Sequence, residues 1–470
     1  MSIIAGFMVP HPPMIIPDIG SGDEKRIQKT IDAYTEVGRR IAELKPDTIF
    51  ISSPHSVMYA DYFHISPGES AKGDFGGFRA PQVSFNETYD RELADTIVHI
   101  CENEEFPAGF MGERDKTLDH GTMVPLYFIH KFYDDFKLIR VGLSGLPLTE
   151  HYKLGRFIAR GVNKLDRRVV FVASGDLSHK LQKYGPYGFA QEGPEYDDRI
   201  MEVMESSDFG QLFDFSEAFC DKAAECGHRS FVIMAGAFDG VDVKSEALSH
   251  EDVTGVGYGI CAFNPGEPSD DRYFLEQYFD KKQSEIEAQR SKEDVYVTIA
   301  RRALEAHIRD GVTVKPEDVC PDIDKTSDAY KELFGKSAGA FVSIHKDGRL
   351  RGCIGTISPL ENCVASELVR NAISAATSDP RFDPILPEEL DSLEYSVDVL
   401  GEPEPIAGPD ELDVKRYGVI VTKGFRRGLL LPDLEGVDTV EDQIDIARRK
   451  GGIGEHEKYK LERFEVIRHH

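Results

Sequence analysis

The sequence has few cysteines, no long apolar run and a shortage of positive charge, and each absence excludes a class of protein. Seven cysteines scattered over 470 residues are an odd number and do not resemble a disulfide framework, so reduced thiols are expected. No stretch approaches the roughly 18 consecutive apolar residues that a membrane-spanning helix requires. With 55 basic against 83 acidic residues, the net charge is −28, which repels phosphate backbones and anionic lipid. We therefore expect neither nucleic acid nor a membrane as partner.

The beginning of the sequence also lacks the features of a secretory signal. The segment "MSIIAGFMVPHPP" has no basic residues before its apolar part and no small-residue cleavage site, so it is predicted to form a first strand. Reduced cysteines and the missing signal together indicate a cytoplasmic protein. A length of 470 residues exceeds what one hydrophobic core usually serves. The turn-rich segment "NPGEPSDDRYF" predicts a boundary between a first domain, 1–274, and a second, 275–470.

Short apolar stretches alternate with amphipathic ones through most of the first domain. This alternation is typical of an α/β fold with a largely buried sheet. The segment 56–89 interrupts it and is predicted to be an excursion near the site or a small hairpin. The predicted strands are 3–9, 47–53, 137–144, 167–174 and 257–263, and the predicted helices are 24–44, 90–103, 149–164 and 195–205.

Histidines follow several of these strands. His11 lies between prolines directly after strand 3–9, His55 follows strand 47–53, and His179 comes shortly after strand 167–174. Ligands bind outside the carboxyl ends of strands in open α/β sheets, so we expect these histidines to converge there. A fourth, His120, lies in "LDHGTMVPL", where Asp119 is expected to orient its ring and the following glycine to allow close approach.

The motifs "VPHPP", "SPHS", "LDHGTMVPL" and "SGDLSH", in this order, resemble the class III extradiol dioxygenases, the LigB-type family, over about residues 1–263. The resemblance implies a three-layer sheet domain that binds Fe(II) through two histidines and a glutamate, with positions left for a catechol and O₂. By position, His11 and His55 match the histidine ligands. His179 matches the histidine that acts as acid and base, and His120 matches a further histidine of the pocket.

The third ligand is the least determined part of this prediction. In "DKAAECGHRSFVIMAGAF", Glu225 stands just before an apolar helix and is the predicted carboxylate. Cys226 is the alternative, because the related Memo-like proteins carry a "CGR" motif that places a cysteine near this position. A thiolate would favour zinc or copper over a ferrous centre. His228 and Glu246 are weaker alternatives.

The second domain carries a different motif. "GRLRGCIGTISPL", with "AISAATSDPRFDPILPEEL" further on, resembles the AMMECR family over about residues 290–468, which implies a smaller α+β domain. Arg351, Gly352, Cys353 and Gly355 form either a small site, in which an arginine lowers the pKa of the thiol, or a strand whose glycines and cysteine serve packing. Arg381 in "SDPRF" is either a second polar element of that cleft or part of a turn.

Three functions agree with these motifs. The leading hypothesis is an Fe(II)-dependent extradiol-type dioxygenase acting on a catechol-like or aminophenol-like small molecule and O₂. The second is a metal-dependent redox or modification enzyme of unknown reaction, working with a radical SAM protein, as the Memo-like and AMMECR resemblance implies. The third is a protein that binds a metal and a ligand without turnover. Self-association into a homo-oligomer is left open.

Overall fold

The computed structural model describes residues 3–112, 117–346, 348–434 and 436–470. The chain divides into two compact units, Met1–Phe279 and Asp280–His470, and the division falls inside the helix Phe274–Arg290. The domain limits 1–274 and 275–470 stay predictions. In the described part of the chain, no helix combines the length and apolar character needed to cross a membrane.

In its described part, the first unit contains a six-stranded sheet in the order β7-β2-β8-β1-β10-β9, two small sheets (β3 with β6, β4 with β5) and surrounding helices. The strands are β1 (Ile3–Val9), β2 (Thr48–Ser53), β3 (Phe63–His64), β4 (Ser70–Phe75), β5 (Ala80–Thr88), β6 (Ala108–Gly109), β7 (Lys137–Gly142), β8 (Val169–Ser174), β9 (Val241–Glu251) and β10 (Tyr258–Pro268). The helices are α1 (Pro17–Gly20), α2 (Gln28–Leu44), α3 (Arg91–Asn103), α4 (His120–Ile129), α5 (Leu148–Leu165), α6 (Glu192–Ser206), α7 (Glu217–Ala223), α8 (His228–Ala237) and α9 (Phe274–Arg290).

The sheet separates two hydrophobic cores, because successive side chains of a strand point to opposite faces. On β8, Phe171 packs with α3, α5, α6 and α8 on one face, while Val170 and Val172 pack with α2 and α4 on the other. The strands are buried on both sides, which explains why they appear in the sequence as continuous apolar runs. The first unit is therefore the predicted three-layer α/β domain.

Strand direction determines where the histidines lie. Strands β7, β2, β8 and β1 are neighbours and parallel, whereas β10 pairs antiparallel with β1, and β9 pairs antiparallel with β10. The segments that follow β1, β2 and β8 therefore leave the same edge of the sheet, and they contain His11, His55 and His179. The predicted small hairpin within 56–89 is β4 paired with β5.

The second unit has the predicted α+β organisation. Its described part contains an antiparallel sheet in the order β12-β11-β13-β17-β15-β16, with β14 paired to β17. The strands are β11 (Ala340–Lys346), β12 (Arg349–Gly355), β13 (Leu393–Leu400), β14 (Glu404–Ile406), β15 (Tyr417–Lys423), β16 (Arg426–Leu430) and β17 (Lys460–His469). The helices are α10 (Val295–Asp310), α11 (Pro316–Val319), α12 (Asp328–Gly335), α13 (Val364–Thr377) and α14 (Val440–Lys450).

Candidate metal centre

The turn after β1 holds the backbone of His11 in place. Tyr34 on α2 donates a hydrogen bond from its hydroxyl to the carbonyl oxygen of Pro10. The backbone N–H of His11 donates to Asp176 Oδ1 at 2.7 Å. Pro12 continues the turn with φ −65°, the value that its ring imposes. The proline-rich turn therefore holds the backbone of His11 in a fixed position.

A hydroxyl group determines which nitrogen of the His11 ring is available. Ser174 Oγ lies 2.6 Å from the carbonyl oxygen of Gly121, which can only accept, so the hydroxyl proton points to that oxygen. Ser174 Oγ must then accept from His11 Nδ1, which lies 3.0 Å away. A neutral His11 consequently keeps its lone pair on Nε2, the arrangement that metal-ligating histidines commonly have.

His55 follows β2, which is separated from β1 by β8, and its ring meets that of His11. Its backbone N–H donates to Ser53 Oγ at 3.2 Å, and Ser53 Oγ donates to Asp119 Oδ1 at 2.5 Å. His55 Nε2 lies 3.0 Å from His11 Nε2. The two predicted histidine ligands therefore point their Nε2 atoms at the same place.

The thiol of Cys226 completes this cluster. Nitrogen atoms of His11 and His55 and the sulfur of Cys226 all lie within 4.8 Å of one another, and Cys226 Sγ is 3.6 Å from His11 Nε2. In a tetrahedral site with bonds of about 2.0–2.1 Å to nitrogen and about 2.3 Å to sulfur, ligand atoms stand roughly 3.3 Å (N to N) and 3.6 Å (N to S) apart. The donor atoms therefore fit one metal ion, with a coordination position left for another ligand.

The expectation that Glu225 stands beside the two histidines is not met. Its Oε2 accepts the backbone N–H of His228 at 2.6 Å, and it also accepts from Gly227. It lines a small pocket with Phe215 and Arg229. The physical reason is that the first N–H groups of α8 have no partner within the helix and attract a carboxylate. Glu225 thus binds the N-terminus of α8, and the next residue, Cys226, faces the histidines.

Burial sets the charge of these donors. It lowers the pKa of His11 well below its ordinary value, with His55 and His120 adding to the effect, and it also lowers the pKa of His55. Both rings are therefore neutral and able to bind a cation near neutral pH. Burial raises the pKa of the Cys226 thiol, and Asp176 raises it further. A bound cation would reverse this, because coordinated thiols are deprotonated.

His120 contacts both histidines of the cluster, and His179 is near enough for its charge to lower the pKa of His11 and His55. The His120 ring centroid is 4.0 Å from that of His55 and 5.5 Å from that of His11. Burial, then the charge of His55, lowers the pKa of His120 to about 4. His179 Nδ1 donates to the carbonyl oxygen of Ala224, so the lone pair of the neutral ring is on Nε2. The catalytic roles assigned to these two histidines stay predictions.

Asp119 does not orient His120 as expected. It accepts hydrogen bonds from Thr122 N and Ser53 Oγ and lies 3.3 Å from Arg140 Nη1. Burial by itself would raise the pKa of Asp119, but Arg140 and these hydrogen bonds outweigh it and hold the pKa below the usual range. A charged Asp119 therefore stabilises the start of α4, whose first residue is His120, and through Ser53 it binds the end of β2, which precedes His55.

Sequence reasoning missed two residues of the site. Ser174, the last residue of β8, binds the His11 ring, and Asp176 binds the His11 backbone. The backbone N–H of Asp176 also donates to Cys226 Sγ at 3.3 Å. Both residues belong to the "SGDLSH" motif, at and just after the end of a buried strand. That position is the sequence feature from which they could have been identified as site residues.

The weaker alternatives lie elsewhere. His228 is buried with Nε2 3.0 Å from the carbonyl oxygen of Leu212 and Nδ1 3.3 Å from the Tyr196 hydroxyl. It is neither solvated nor a member of the cluster. Glu246 is on the surface of β9 and pairs with Arg40 at 2.7 Å.

In the second unit, the cation that approaches Cys353 is Arg381 and not Arg351. Arg351 donates to both carboxylate oxygens of Glu389 at 3.0 Å, because a carboxylate is a far stronger acceptor for a guanidinium than a thiol is. Arg381 donates to the Cys353 carbonyl oxygen at 3.2 Å, and Asp379 accepts the Cys353 N–H at 2.9 Å. Asp379 and Arg381 thus form the polar element beside this strand.

The two glycines of the same strand serve packing. A methyl group on Gly352 would collide with the carbonyl oxygen of Ala375 on α13. A methyl group on Gly355 would collide with the ring of Phe341 on β11. Both positions therefore support the packing alternative for this motif.

Comparison with known proteins agrees with this architecture. The family model described as the catalytic LigB subunit of aromatic ring-opening dioxygenase matches residues 5–261, and the AMMECR1 model matches residues 297–469. A protein of Clostridium acetobutylicum is 38% identical over 477 residues, which cover 100% of this chain and 99% of that protein. A Thermotoga maritima protein is 50% identical over 179 residues, covering 38% of this chain and 98% of that protein. The crystal structure of an uncharacterized Pyrococcus horikoshii protein is 31% identical, covers 38% of this chain and 90% of that chain, and has a TM-score of 0.33.

The LigB match spans more than half of the chain. The chain therefore belongs to the LigB family. Within it, this chain has the arrangement in which an AMMECR1 domain follows the LigB domain, and the Clostridium acetobutylicum protein matches it over both domains.

Proposed function

We propose that the first unit is a metal-dependent oxidoreductase whose metal ligands are His11, His55 and Cys226. The observation that carries this proposal is the convergence of their donor atoms within 4.8 Å. Two imidazoles and a thiolate are a softer donor set than two imidazoles and a carboxylate, and they favour copper or zinc over Fe(II). Of the two favoured metals copper is redox-active, and when bound it would supply electron transfer to or from a coordinated molecule.

The surrounding residues would position and protonate the substrate. His179 uses Nδ1 to bind Ala224, so Nε2 is the atom that accepts a proton from a substrate hydroxyl and returns it later. His120 lies against His55 and lines the same space. Ser174 holds the His11 ring, which keeps the metal-facing nitrogen in place.

A second candidate is the Fe(II)-dependent ring-opening dioxygenase acting on a catechol-like or aminophenol-like molecule and O₂. The observation in its favour is the match to a family model named for aromatic ring opening. The position of Glu225 speaks against it, because its carboxylate binds the N-terminus of α8 rather than facing the histidines. The fold alone does not decide between the two candidates.

Metal analysis of matched variants tests the ligand set. We expect the purified protein, stripped and then loaded separately with copper, zinc or Fe(II), to retain copper or zinc most tightly. Cys226→Ser and His55→Ala should lose most of the bound ion, whereas Glu225→Gln should retain it. The reverse result for Cys226→Ser and Glu225→Gln would support the ferrous centre instead.

Oxygen consumption tests the reaction class. The copper-loaded protein should consume O₂ with at least one member of a panel of catechols and aminophenols, and His179→Ala should slow that consumption while leaving the metal content unchanged. Loaded protein that consumes no O₂ with any compound would contradict the oxidoreductase and favour a protein that binds without turnover.

A further inference from the structure

Two exposed aromatic rings contact the histidines that border the metal centre. Phe78 is 40% exposed, and its ring centroid lies 5.5 Å from that of His120. Tyr187 is 61% exposed, and its ring centroid lies 5.0 Å from that of His179. Single exposed aromatic residues are common on protein surfaces, so what distinguishes these two is their contact with the histidines of the centre. The roles proposed above for the histidines assign no task to either ring.

The turn that carries Phe78 is stabilised by contacts within its own hairpin. Residues Gly76–Phe78 form a single 3-10 turn between β4 and β5, and the Arg79 N–H closes it by donating to the Gly76 carbonyl oxygen at 3.0 Å. The buried ring of Phe75 lies 6.0 Å from that of Phe78. Phe78 is therefore placed beside His120 by its own hairpin and needs no ligand to arrange it.

The segment that carries Tyr187 is also stabilised by pairing between its two ends. Leu181 and Phe189 form a bridge at its base, and the Ala190 N–H donates to the Lys180 carbonyl oxygen at 3.1 Å. Within the loop, the Gly188 N–H donates to the Gly185 carbonyl oxygen at 3.2 Å. These bonds hold Tyr187 against His179 while most of its ring stays open to solvent.

We propose that Phe78 and Tyr187 are specificity-determining residues that hold an aromatic ring of the substrate at the metal centre. A molecule bound at the cluster lies beside His120 and His179, and therefore beside the rings that these histidines contact. Aromatic rings pack favourably edge-to-face and offset, an interaction that a saturated ring cannot provide. This inference rests on the proposed function and deepens it by naming the part of the substrate that is recognised.

The chain offers matched controls for both positions. Tyr184 is on the same loop as Tyr187 and is 76% exposed, but among the residues that the structure describes no aromatic contact links it to the centre. Phe132 is 39% exposed, close to the value for Phe78, and lies beyond the opposite end of α4 from His120. Substitution of either control removes an exposed aromatic ring without touching the cluster.

Calorimetric titration of the zinc-loaded protein measures ring recognition without turnover, because zinc has no redox chemistry. The probes are catechol and trans-1,2-cyclohexanediol, which both carry two adjacent hydroxyl groups but differ in aromaticity. We expect wild type to bind catechol at least about 10-fold more tightly than the saturated diol. Phe78→Ala and Tyr187→Ala should each weaken catechol binding about 10-fold, and Tyr187→Phe should restore it. Tyr184→Ala and Phe132→Ala should bind as wild type does.

The outcomes separate this inference from the proposed function. Zinc content near one ion per chain in every variant, together with equal catechol binding in Phe78→Ala, Tyr187→Ala and wild type, would overturn the inference and leave the metal centre standing. Equal binding of the two diols by wild type, or binding of neither, would also overturn it. A wild-type protein that binds neither zinc nor copper would refute the centre itself.

Discussion

The direction in which His11 presents its nitrogen depends on one hydroxyl group. Ser174 Oγ donates a hydrogen bond to the carbonyl oxygen of Gly121 and therefore accepts one from His11 Nδ1. Without that acceptor, the ring would be free to rotate or to place its proton on Nε2, where it blocks a metal. Residues that bind a ligand in this way commonly contribute 10- to 100-fold to metal affinity, in rough terms.

We therefore predict that Ser174→Ala weakens zinc binding by about 10- to 100-fold, measured by competition with a chelator of known affinity. The control is Ser207→Ala, which removes another buried hydroxyl that donates to a carbonyl oxygen, that of Val243, at 2.9 Å. Both variants should lose about 1 kcal/mol of stability. Equal zinc affinity in Ser174→Ala and wild type would show that the hydrogen bond does not position His11.

The position of a side chain could be deduced from the sequence where a strand end places it, and could not where a helix end competes for it. His11 and His55 follow buried parallel strands, so the edge on which they meet could be deduced from the order of apolar segments. Glu225 and Cys226 are neighbours in the sequence, and the choice between them depends on which one satisfies the free N–H groups of α8. That requirement becomes visible only when the start of the helix and its surroundings are known.

Strands could be predicted from the sequence where both of their faces are buried. The strands of the buried sheet appear as continuous apolar runs and were all expected except β9, whose side chains alternate between partly buried and exposed. The close contact between α5 and α8 was not expected, because it depends on two glycines in different parts of the chain. A methyl group on Gly155 would collide with the Ile233 carbonyl oxygen, and one on Gly236 with that of Tyr152.

Helix α8 begins two residues after Cys226, so its position influences the metal centre. We predict that Gly155→Ala pushes α8 away, lowers the free energy of unfolding by about 1–3 kcal/mol and reduces zinc occupancy. Thermal unfolding and metal analysis of the same preparation measure both effects. Gly266→Ala is the control, because a methyl group there meets its nearest neighbour, the Asp242 carbonyl oxygen, at 3.5 Å. Unchanged stability in Gly155→Ala would mean that the two helices can separate without cost.

For the molecule as a whole, the two units have separate hydrophobic interiors. Buried clusters draw on residues from Ile3 to Leu275 in the first unit and from Tyr296 to Phe464 in the second. The change in composition near residue 270 was enough to predict two domains. The predicted boundary between residues 274 and 275 and the division between Phe279 and Asp280 both fall within α9.

These separate interiors predict that the metal centre needs only the first unit. A chain ending at Phe279 keeps Phe274 and Leu275 of α9, which pack in the first core, and a chain starting at Asp280 keeps Arg290, which donates to the Leu390 carbonyl oxygen. We expect the fragment 1–279 to bind zinc with an affinity within about 3-fold of the full chain, a difference of less than 1 kcal/mol. The fragment 280–470 should unfold cooperatively and bind no zinc at the same concentrations. Calorimetry of both fragments and of the full chain provides the comparison, and a folded 1–279 fragment that has lost zinc binding would show that the second unit contributes to the centre.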